Sequence, residues 1–282
     1  MLADCHIHMV LDGIYYRDAI DAHRQGPRED LIRSRLEAYK NAGFTYLRDG
    51  GDRWGVGVAA RSLAGEYGIT YRTPVFPIHK TGHYGGFIGC GYSTWDEYEE
   101  LLAQVRRGNG DFVKLMISGL MDFNCFGVLT GAPLAPDEIR QLIWRAHDRG
   151  YRVMVHANGA ETVIAAAEAG VDSVEHGAYL NEEALHAMKE AGAIWVPTLS
   201  TIGNLLETDR FPHEAVQQIL DSAMENVSHF HAMGGLLAPG TDAGAYAVPH
   251  ACLSEYRLLE AAIGPQCHKV LAAGIKELQN RF

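Results

Sequence analysis

Residues 149–176 read RGYRVMVHANGAETVIAAAEAGVDSVEH, and this stretch contains one pattern twice: a glycine, a short apolar run and a histidine. Each glycine fits the left-handed position that ends a helix. Each apolar run suits a parallel strand that is buried on both faces. The glycine and the apolar run recur near 42–47 and 191–196. Strands that alternate with helices in this way predict right-handed βαβ units and an α/β fold.

The same pattern predicts eight strands along the chain, with helices between them. The strands are expected near residues 3–9, 44–49, 70–76, 111–117, 151–156, 171–176, 193–198 and 235–241. The helices are expected near 28–42, 54–66, 94–107, 135–149, 159–169, 181–191, 212–233, 251–262 and 266–280. This count favours a (β/α)8 TIM-type barrel that forms a single domain over residues 1–282, with an open doubly wound sheet as the alternative.

Four of the predicted connections are long. They lie near 10–27, 77–93, 118–134 and 199–211, after the first, third, fourth and seventh strands. In a barrel these connections meet at the C-terminal mouth, where the active site is found. Loops longer than ~12 residues in a compact domain are usually functional.

Composition limits the classes of partner and location. A net charge of −11 argues against nucleic acid or an anionic membrane as a partner. The chain shows neither a targeting segment nor an apolar run near the ~18 residues of a membrane span. Its five cysteines lack Cys-x-x-Cys spacing, which predicts free thiols. These observations together predict a cytoplasmic protein.

Six side chains that can bind metals stand at the predicted strand ends. They are His6, His8, Lys114, His156, His176 and Asp242. The carboxyl ends of barrel strands meet at one mouth, so we expect these side chains to lie together. Imidazole and carboxylate ligands suit zinc, with iron, manganese, nickel or cobalt as alternatives.

The His6-x-His8 motif is informative because it lies on a predicted strand. The chain has fourteen histidines, so about 0.7 such pairs are expected by chance, and a second pair is formed by His229 and His231. That second pair lies in a predicted helix, where residues two apart do not share a face. On a strand, His6 and His8 point to the same side. The same alternation predicts that Cys5 points away from His6, toward the helices.

Lys114 is an unusual residue for the inside of a barrel. Burial and neighbouring cations lower the pKa of a lysine. A neutral lysine can add carbon dioxide and become a carbamate, which can bridge two metals. The alternatives are a lysine paired with a carboxylate such as Asp111, or one that extends outward. His156 and His176 could equally be hydrogen-bonded core residues, and Asp242 could form an Asx turn.

Taken together, these residues resemble the amidohydrolase superfamily, in particular imidazolonepropionase-like enzymes and Xaa-Pro and Xaa-Arg dipeptidases. The resemblance extends from about residue 3 to 262. Its motifs are His6-x-His8, Val113-Lys114-Leu115-Met116-Ile117-Ser118-Gly119, His156, His176, Gly240-Thr241-Asp242-Ala243-Gly244, His79-Lys80-Thr81-Gly82-His83 and Pro249-His250. It implies that His6, His8 and Asp242 hold one metal, that His156 and His176 hold another, and that carboxylated Lys114 bridges them.

The resemblance also implies a reaction on a small-molecule substrate. A hydroxide between two divalent metals, zinc first, would attack an amide carbonyl in a linear N-acyl compound, a dipeptide or a lactam. Asp242 would carry the proton to the leaving amine. His83 is a candidate substrate or oxyanion contact, and Tyr84, Asp49 and His250 are weaker candidates for the substrate pocket.

The chain departs from the family pattern at both ends. Most relatives carry a β-sandwich built from both termini, but here the first strand follows Met1 and 40 residues follow Asp242, so we expect no accessory β-sandwich. The segment 264–268 also differs. Loops 118–134 and 199–211 would determine specificity. The terminal helix 266–280 is a candidate contact in a homo-oligomer.

Three other functions remain open from the sequence. A lactone or ester hydrolase would use the same machinery. A mononuclear metal deaminase or decarboxylase would use the same barrel, although such relatives usually lack the lysine of the fourth strand, so Lys114 counts against it. The third is a non-catalytic barrel that binds a ligand.

Overall fold

A computed structural model describes residues 2–282, in which ten parallel strands form two sheets. The strands are β1 (Leu2–Ile7), β2 (Phe44–Asp49), β3 (Thr70–Arg72), β4 (Pro77–Lys80), β5 (Cys90–Tyr92), β6 (Val113–Met116), β7 (Val153–Ala157), β8 (Ser173–His176), β9 (Ile194–Val196) and β10 (Leu236–Leu237). One sheet has the order β1-β2-β3 and the other β10-β9-β8-β7-β6-β4-β5. Every pairing is parallel, so the α/β fold is confirmed.

Helices connect these strands. They are α1 (Tyr16–Asp21), α2 (Glu29–Asn41), α3 (Val56–Ala64), α4 (Trp95–Arg107), α5 (Pro136–Asp148), α6 (Ala160–Glu168), α7 (Glu182–Glu190), α8 (Ser200–Gly203), α9 (His213–Ala232), α10 (Ser254–Ile263) and α11 (Cys267–Arg281). Gly150 and Gly170 follow α5 and α6 with φ of 82° and 80°, the left-handed conformation that glycine adopts without strain. None of the helices between residues 2 and 282 has the length and hydrophobicity that crossing a bilayer requires.

Backbone hydrogen bonds join the two sheets at both junctions. At one junction, Cys5 N donates to Pro239 O at 2.8 Å and Asp242 N donates to His6 O at 2.7 Å, which connects β1 to the chain after β10. At the other, Asp111 N donates to Thr73 O at 2.9 Å, which connects the end of β3 to the start of β6. The first of these junctions places Asp242 beside the histidines of β1.

Three of the long connections contain more regular structure than the sequence predicts. The connection 10–27 contains α1, 77–93 contains β4 and β5, and 199–211 contains α8 and a 3-10 turn at Asn204–Glu207. Strands of three or four residues are too short to show a hydrophobic period. The third predicted strand also ends early, at Arg72, because Pro74 cannot donate to a ladder and Val75 has a φ of 73°.

The prediction that Cys5 faces the helices is confirmed only in part, because its neighbours come from strands as well as from one helix. Cys5 is fully buried in a cluster that joins strand residues of both sheets to α11. That cluster contains Ala3, Cys5, Tyr46, Phe112, Met154, Ile194, Val196, Ala238, Ile275, Leu278 and Phe282. The pairing of β1 with β2 is irregular between Asp4 and Ile7, so the simple alternation of side chains fails there. All five cysteines are free, as predicted.

Candidate metal centre and its cavity

The six predicted ligands come together at the carboxyl ends of the strands. His6 and His8 belong to the end of β1, Lys114 to β6, His156 to β7, His176 to β8, and Asp242 follows β10. All six are buried, with at most 9% of any residue exposed. The imidazole rings form a continuous group, because the centroid distances are 5.3 Å for His6–His8, 5.0 Å for His6–His176 and 4.6 Å for His156–His176.

His6, His8 and Asp242 form a group with the spacing of metal ligands. Each offers one ligand atom, and these atoms all lie within 4.8 Å of one another. Asp242 Oδ1 lies 3.5 Å from His6 Nε2 and 3.3 Å from His8 Nε2. Within residues 2–282, neither Asp242 Oδ1 nor His6 Nε2 has a hydrogen-bond partner. Because buried polar atoms are nearly always paired, these two atoms fit a bound cation.

Neighbouring groups orient three of the histidines. Nδ1 of His6 lies 2.8 Å from Glu175 Oε2, and Nδ1 of His176 lies 2.7 Å from Thr198 Oγ1. His156 instead uses Nε2, at 3.1 Å from Gly119 O. A carboxylate and a carbonyl accept hydrogen bonds, so His6 carries its proton on Nδ1 and His156 on Nε2. The opposite nitrogen of each ring is then a lone-pair donor that can bind a metal.

The histidines are uncharged near neutral pH. Burial lowers the pKa of His8 and His156 to about 3, with Lys114 as the next cause in both cases. Burial also holds the pKa of His6 and His176 well below the usual value. Neutral imidazole is the form that binds metals.

Lys114 lies inside this group with its amine unpaired. The residue is 1% exposed, and its Nζ has no hydrogen-bond partner in residues 2–282. Burial lowers its pKa to about 8, while the carboxylate of Glu175 opposes that shift. Asp111 pairs instead with Arg61 at 3.1 Å and with Arg72 at 3.7 Å. The structure thus shows neither the Asp111 pair nor an outward-facing lysine.

Sequence reasoning missed a buried ion pair beside the ligands. Arg48 and Glu175 are both fully buried, and Arg48 Nη2 donates to Glu175 Oε1 at 2.8 Å. The other oxygen of Glu175 contacts His6, so this carboxylate both balances the guanidinium and orients a candidate ligand. The sequence feature that could have predicted this pair is the charged residue inside each of two apolar strands, because an unpaired buried charge is costly.

Two of the candidate ligands have unusual backbone geometry. His176 and Asp242 adopt left-handed φ values of 67° and 58°, which non-glycine residues rarely adopt. This conformation at the end of β8 lets the adjacent Glu175 and His176 both contact the ring of His6, whereas a regular strand would place them on opposite faces. Strain of this kind is concentrated at functional sites. At Gly240, an added Cβ would lie 2.8 Å from His6 Cβ, so the close approach requires glycine.

Tyr84 is the one weaker candidate that contacts the ligand group. Its ring lies 4.8 Å from the ring of His156, and it lines the adjoining cavity. His83 is not among the residues that line the cavity, and its Nδ1 lies 3.4 Å from Ala132 O.

Asp49 and His250 bind the backbone that follows His8 and do not face the cavity. Asp49 Oδ1 accepts from Met9 N at 3.0 Å, and Nε2 of His250 lies 2.8 Å from Leu11 O. Burial raises the pKa of Asp49 to about 7 and lowers that of His250 to about 3. In this structure both residues fix the segment that leads away from β1.

A cavity of about 520 Å³ opens beside the ligand group. Its walls are mainly apolar and aromatic, and they come from the long connections after the strands. The lining residues are His8, Leu11, Ile14, Tyr15, Tyr16, Tyr84, Phe87, Leu120, Met121, Asp122, Phe123, Asn124, Thr130, His156, Asn158, His176, Thr201, Leu205, Arg210, Phe211, Asp242, Gly244, Ala245 and Tyr246. The volume suits a small organic molecule.

Comparison with known proteins finds relatives by sequence. No protein-family model matches the chain. It is 28% identical to ochratoxinase of Aspergillus niger over 284 aligned positions, which cover 86% of this chain and 57% of that enzyme. An uncharacterised protein of Mycobacterium tuberculosis is 30% identical over 177 positions, which cover 60% of this chain and 46% of that protein. The chain thus spans about half the length of these curated relatives.

Solved structures share the fold. A Xaa-Pro dipeptidase with methionine bound in its active site has a TM-score of 0.76 and 22% identity, over 99% of this chain and 75% of that one. Ochratoxinase of Aspergillus niger also has a TM-score of 0.76 and 22% identity, over 96% of this chain and 69% of that one. The chain is thus similar in sequence to ochratoxinase and shares the fold of a Xaa-Pro dipeptidase, in agreement with the resemblance seen in the strand-end motifs.

Proposed function

We propose that this chain is a metal-dependent hydrolase that cleaves an amide bond in a small molecule. The observation that carries the proposal is the convergence of six buried ligating side chains in which several atoms lack a partner. Within residues 2–282, these atoms are His6 Nε2, His8 Nδ1, Lys114 Nζ and Asp242 Oδ1. The similarity to a Xaa-Pro dipeptidase supports a carbon–nitrogen bond as the bond that is cleaved.

The proposed scaffold is a closed (β/α)8 barrel. In this arrangement β3 and β4 together occupy the third position, and β6 to β10 occupy the fourth to the eighth. The hydrogen bonds Cys5–Pro239 and Asp111–Thr73 support closure, because they connect the two sheets at both junctions. Closure would bring all six ligands to one mouth.

The donor set fits two divalent ions, with zinc as the first choice. His6, His8 and Asp242 would hold one ion. His156 and His176 would hold the other through Nδ1 and Nε2, the nitrogens that make no hydrogen bond to Gly119 or Thr198. Lys114 would contact both ions as a carbamate formed with carbon dioxide. Its lowered pKa supports this role, because only the neutral amine adds carbon dioxide.

Asp242 would carry the proton of the reaction. When bound, the two ions would polarise the substrate carbonyl and lower the pKa of water at the site. The carboxyl of Asp242 faces the cavity, and burial raises its pKa to about 8, within the range where a group both accepts and releases protons. Asp242 would accept a proton at a carboxylate oxygen and donate it to the leaving nitrogen. Tyr84 and Phe87 would cover the reacting bond and exclude water.

A panel of amides tests this function. Protein loaded with zinc and bicarbonate is incubated with N-acetyl amino acids, Xaa-Pro dipeptides and small lactams. Esters, amino-substituted heterocycles and carboxylic acids are included as probes of the alternative functions, and all products are identified by mass spectrometry. Protein stripped with a chelator is the control. Metal-dependent hydrolysis of at least one amide supports the proposal. Turnover of esters alone, or release of ammonia from a ring or of carbon dioxide, would replace it with an esterase, deaminase or decarboxylase function.

A further inference from the structure

Arg210 is the single lysine or arginine among the described residues that line the cavity. It is an exposed residue of the connection after β9. Its guanidinium carbon lies 4.2 Å from the ring centre of Tyr246 and 5.3 Å from that of Phe211. Between residues 2 and 282, no carboxylate lies within ion-pair distance of it and no atom accepts a hydrogen bond from it.

Aromatic contacts hold Arg210 without using its hydrogen-bond donors. Tyr246 belongs to the connection after Asp242, so the stacked pair joins two connections of the mouth. The ring centroid of Phe211 also lies 5.3 Å from that of Phe123, a residue of the connection 118–134. A third connection of the mouth therefore supports Arg210. Stacking uses the face of a guanidinium and leaves the N–H groups at its edge available.

The other charges of the cavity do not satisfy Arg210. Asp122 also lines the cavity, but its Oδ1 accepts from Asn124 N and Asn124 Nδ2, both at 2.9 Å. Asp242 belongs to the ligand group at the base of the cavity. The remaining walls are mostly aliphatic and aromatic side chains. The cavity therefore offers one unpaired cation within a largely apolar surface, and a carboxylate matches the planar edge of a guanidinium.

We infer that Arg210 is a specificity-determining residue that binds the carboxylate of the substrate. The inference rests on the proposed amide hydrolysis and narrows its substrate class to amides with a large apolar or aromatic body and a carboxylate, such as N-acyl derivatives of aromatic amino acids. A neutral amide of the same shape leaves the guanidinium without a partner. The carboxylate should therefore contribute to substrate binding, and its effect should appear in KM.

The test compares two substrates that differ in one group. N-acetyl-L-phenylalanine carries the carboxylate, and N-acetylphenethylamine has the same skeleton without it. Both are assayed with zinc-loaded wild-type protein, Arg210→Ala, Arg210→Lys and the control Arg53→Ala. Arg53 is matched because it is also exposed and also stacks on an aromatic ring, that of Trp54 at 4.8 Å, but it does not line the cavity.

Wild-type protein should favour the carboxylate substrate by about tenfold in kcat/KM, the size expected for one charged hydrogen-bonded contact. Arg210→Ala should raise KM for that substrate by the same factor, leave kcat and the neutral amide unchanged, and be partly rescued by Arg210→Lys. Arg53→Ala should behave as wild type. An equal preference for the two amides, or the same preference in Arg210→Ala, would overturn the inference while the proposed hydrolysis still stands.

Calorimetric binding separates failure of the inference from failure of the proposed function. If neither amide is hydrolysed, N-acetyl-L-phenylalanine is titrated into the metal-loaded wild type and into Arg210→Ala. Binding that is about tenfold weaker in Arg210→Ala supports a carboxylate site even without turnover. Equal binding to the two proteins, or no binding to the wild type, overturns the inference.

Discussion

Replacing Lys114 with alanine tests the proposed bridge between the two metals. The side chain is buried, its Nζ is unpaired in residues 2–282, and it lies among four histidines and Asp242. If Lys114 becomes a bridging carbamate, the variant loses the one charged ligand that is shared by both ions. Removing one partner from a buried charge pair costs about 3–5 kcal/mol. That cost corresponds to a loss of roughly 10²- to 10⁴-fold in metal affinity.

The assay is competition with a chelating dye, followed by elemental analysis and rate measurement on the same sample. We expect Lys114→Ala to retain no more than one tightly bound metal and to lose amide hydrolysis. Short carboxylic acids such as acetate or propionate should restore part of both, because a free carboxylate fits the space left by the side chain. Lys189→Ala, which changes an exposed lysine of α7, is the control. Two tightly bound metals and a full rate in Lys114→Ala would refute the bridge.

Three further changes test other parts of the site and its support. Asp242→Asn should lower kcat by at least about 10²-fold while the protein remains folded by circular dichroism, because the amide cannot carry the proton; an unchanged kcat would contradict this role. Glu175→Gln leaves Arg48 buried beside a neutral partner, so we expect the free energy of unfolding in urea to fall by about 3–5 kcal/mol. Metal affinity should also fall by about 10- to 100-fold, because the orientation of His6 changes. Wild-type values for both would show that the ion pair is dispensable. Glu255→Gln should flatten the pH profile of thermal stability, because burial raises the pKa of Glu255 from 4.5 to about 8; parallel melting profiles for the variant and the wild type would contradict that shift.

The direction in which Glu255 changes the stability with pH follows from proton linkage. A carboxyl whose pKa is higher in the folded state binds its proton more tightly there. Its contribution to the free energy of unfolding is therefore fully present below pH 4.5 and is lost as the pH rises through about 8. The glutamine variant cannot ionise, and its melting temperature should exceed that of the wild type increasingly from pH 5 to pH 9. The carboxyl oxygen Oε2 accepts from Ser200 N at 2.7 Å and from Ser200 Oγ at 2.9 Å, contacts that an amide oxygen preserves. Burial also raises the pKa of Asp4 and Asp49 to about 7. Both residues are present in the variant and in the wild type, so the difference between the two melting profiles reports on Glu255.

The sequence predicted the parallel strands, and the place of the six candidate ligands at the strand ends, because both depend on local patterns. A short apolar run after a helix-ending glycine marks a buried parallel strand, and a polar residue at its end lies at the mouth. His156 and His176 are of this kind. Lys114 was singled out because burying a charged amine is costly. The structure places this residue in the interior, beside the candidate ligands.

Contacts between distant strands could not be read in the same way. The pairing of Arg48 with Glu175 joins residues 127 positions apart, and no local pattern marks the partner of a buried charge. The irregular register of β1 between Asp4 and Ile7 depends on its pairing with β2, so the alternation used to place Cys5 could not be checked from β1 alone. His83 was predicted from its neighbours in the sequence, but its place relative to the cavity depends on how the connection 77–93 folds into β4 and β5.

Metal content per chain tests the central claim most directly. The protein should be purified without a chelator and without a metal-binding tag, incubated with zinc and bicarbonate, freed of unbound metal and measured by elemental analysis. The proposed centre predicts two equivalents of a divalent transition metal in the wild type. One equivalent or none after this treatment would contradict the binuclear centre.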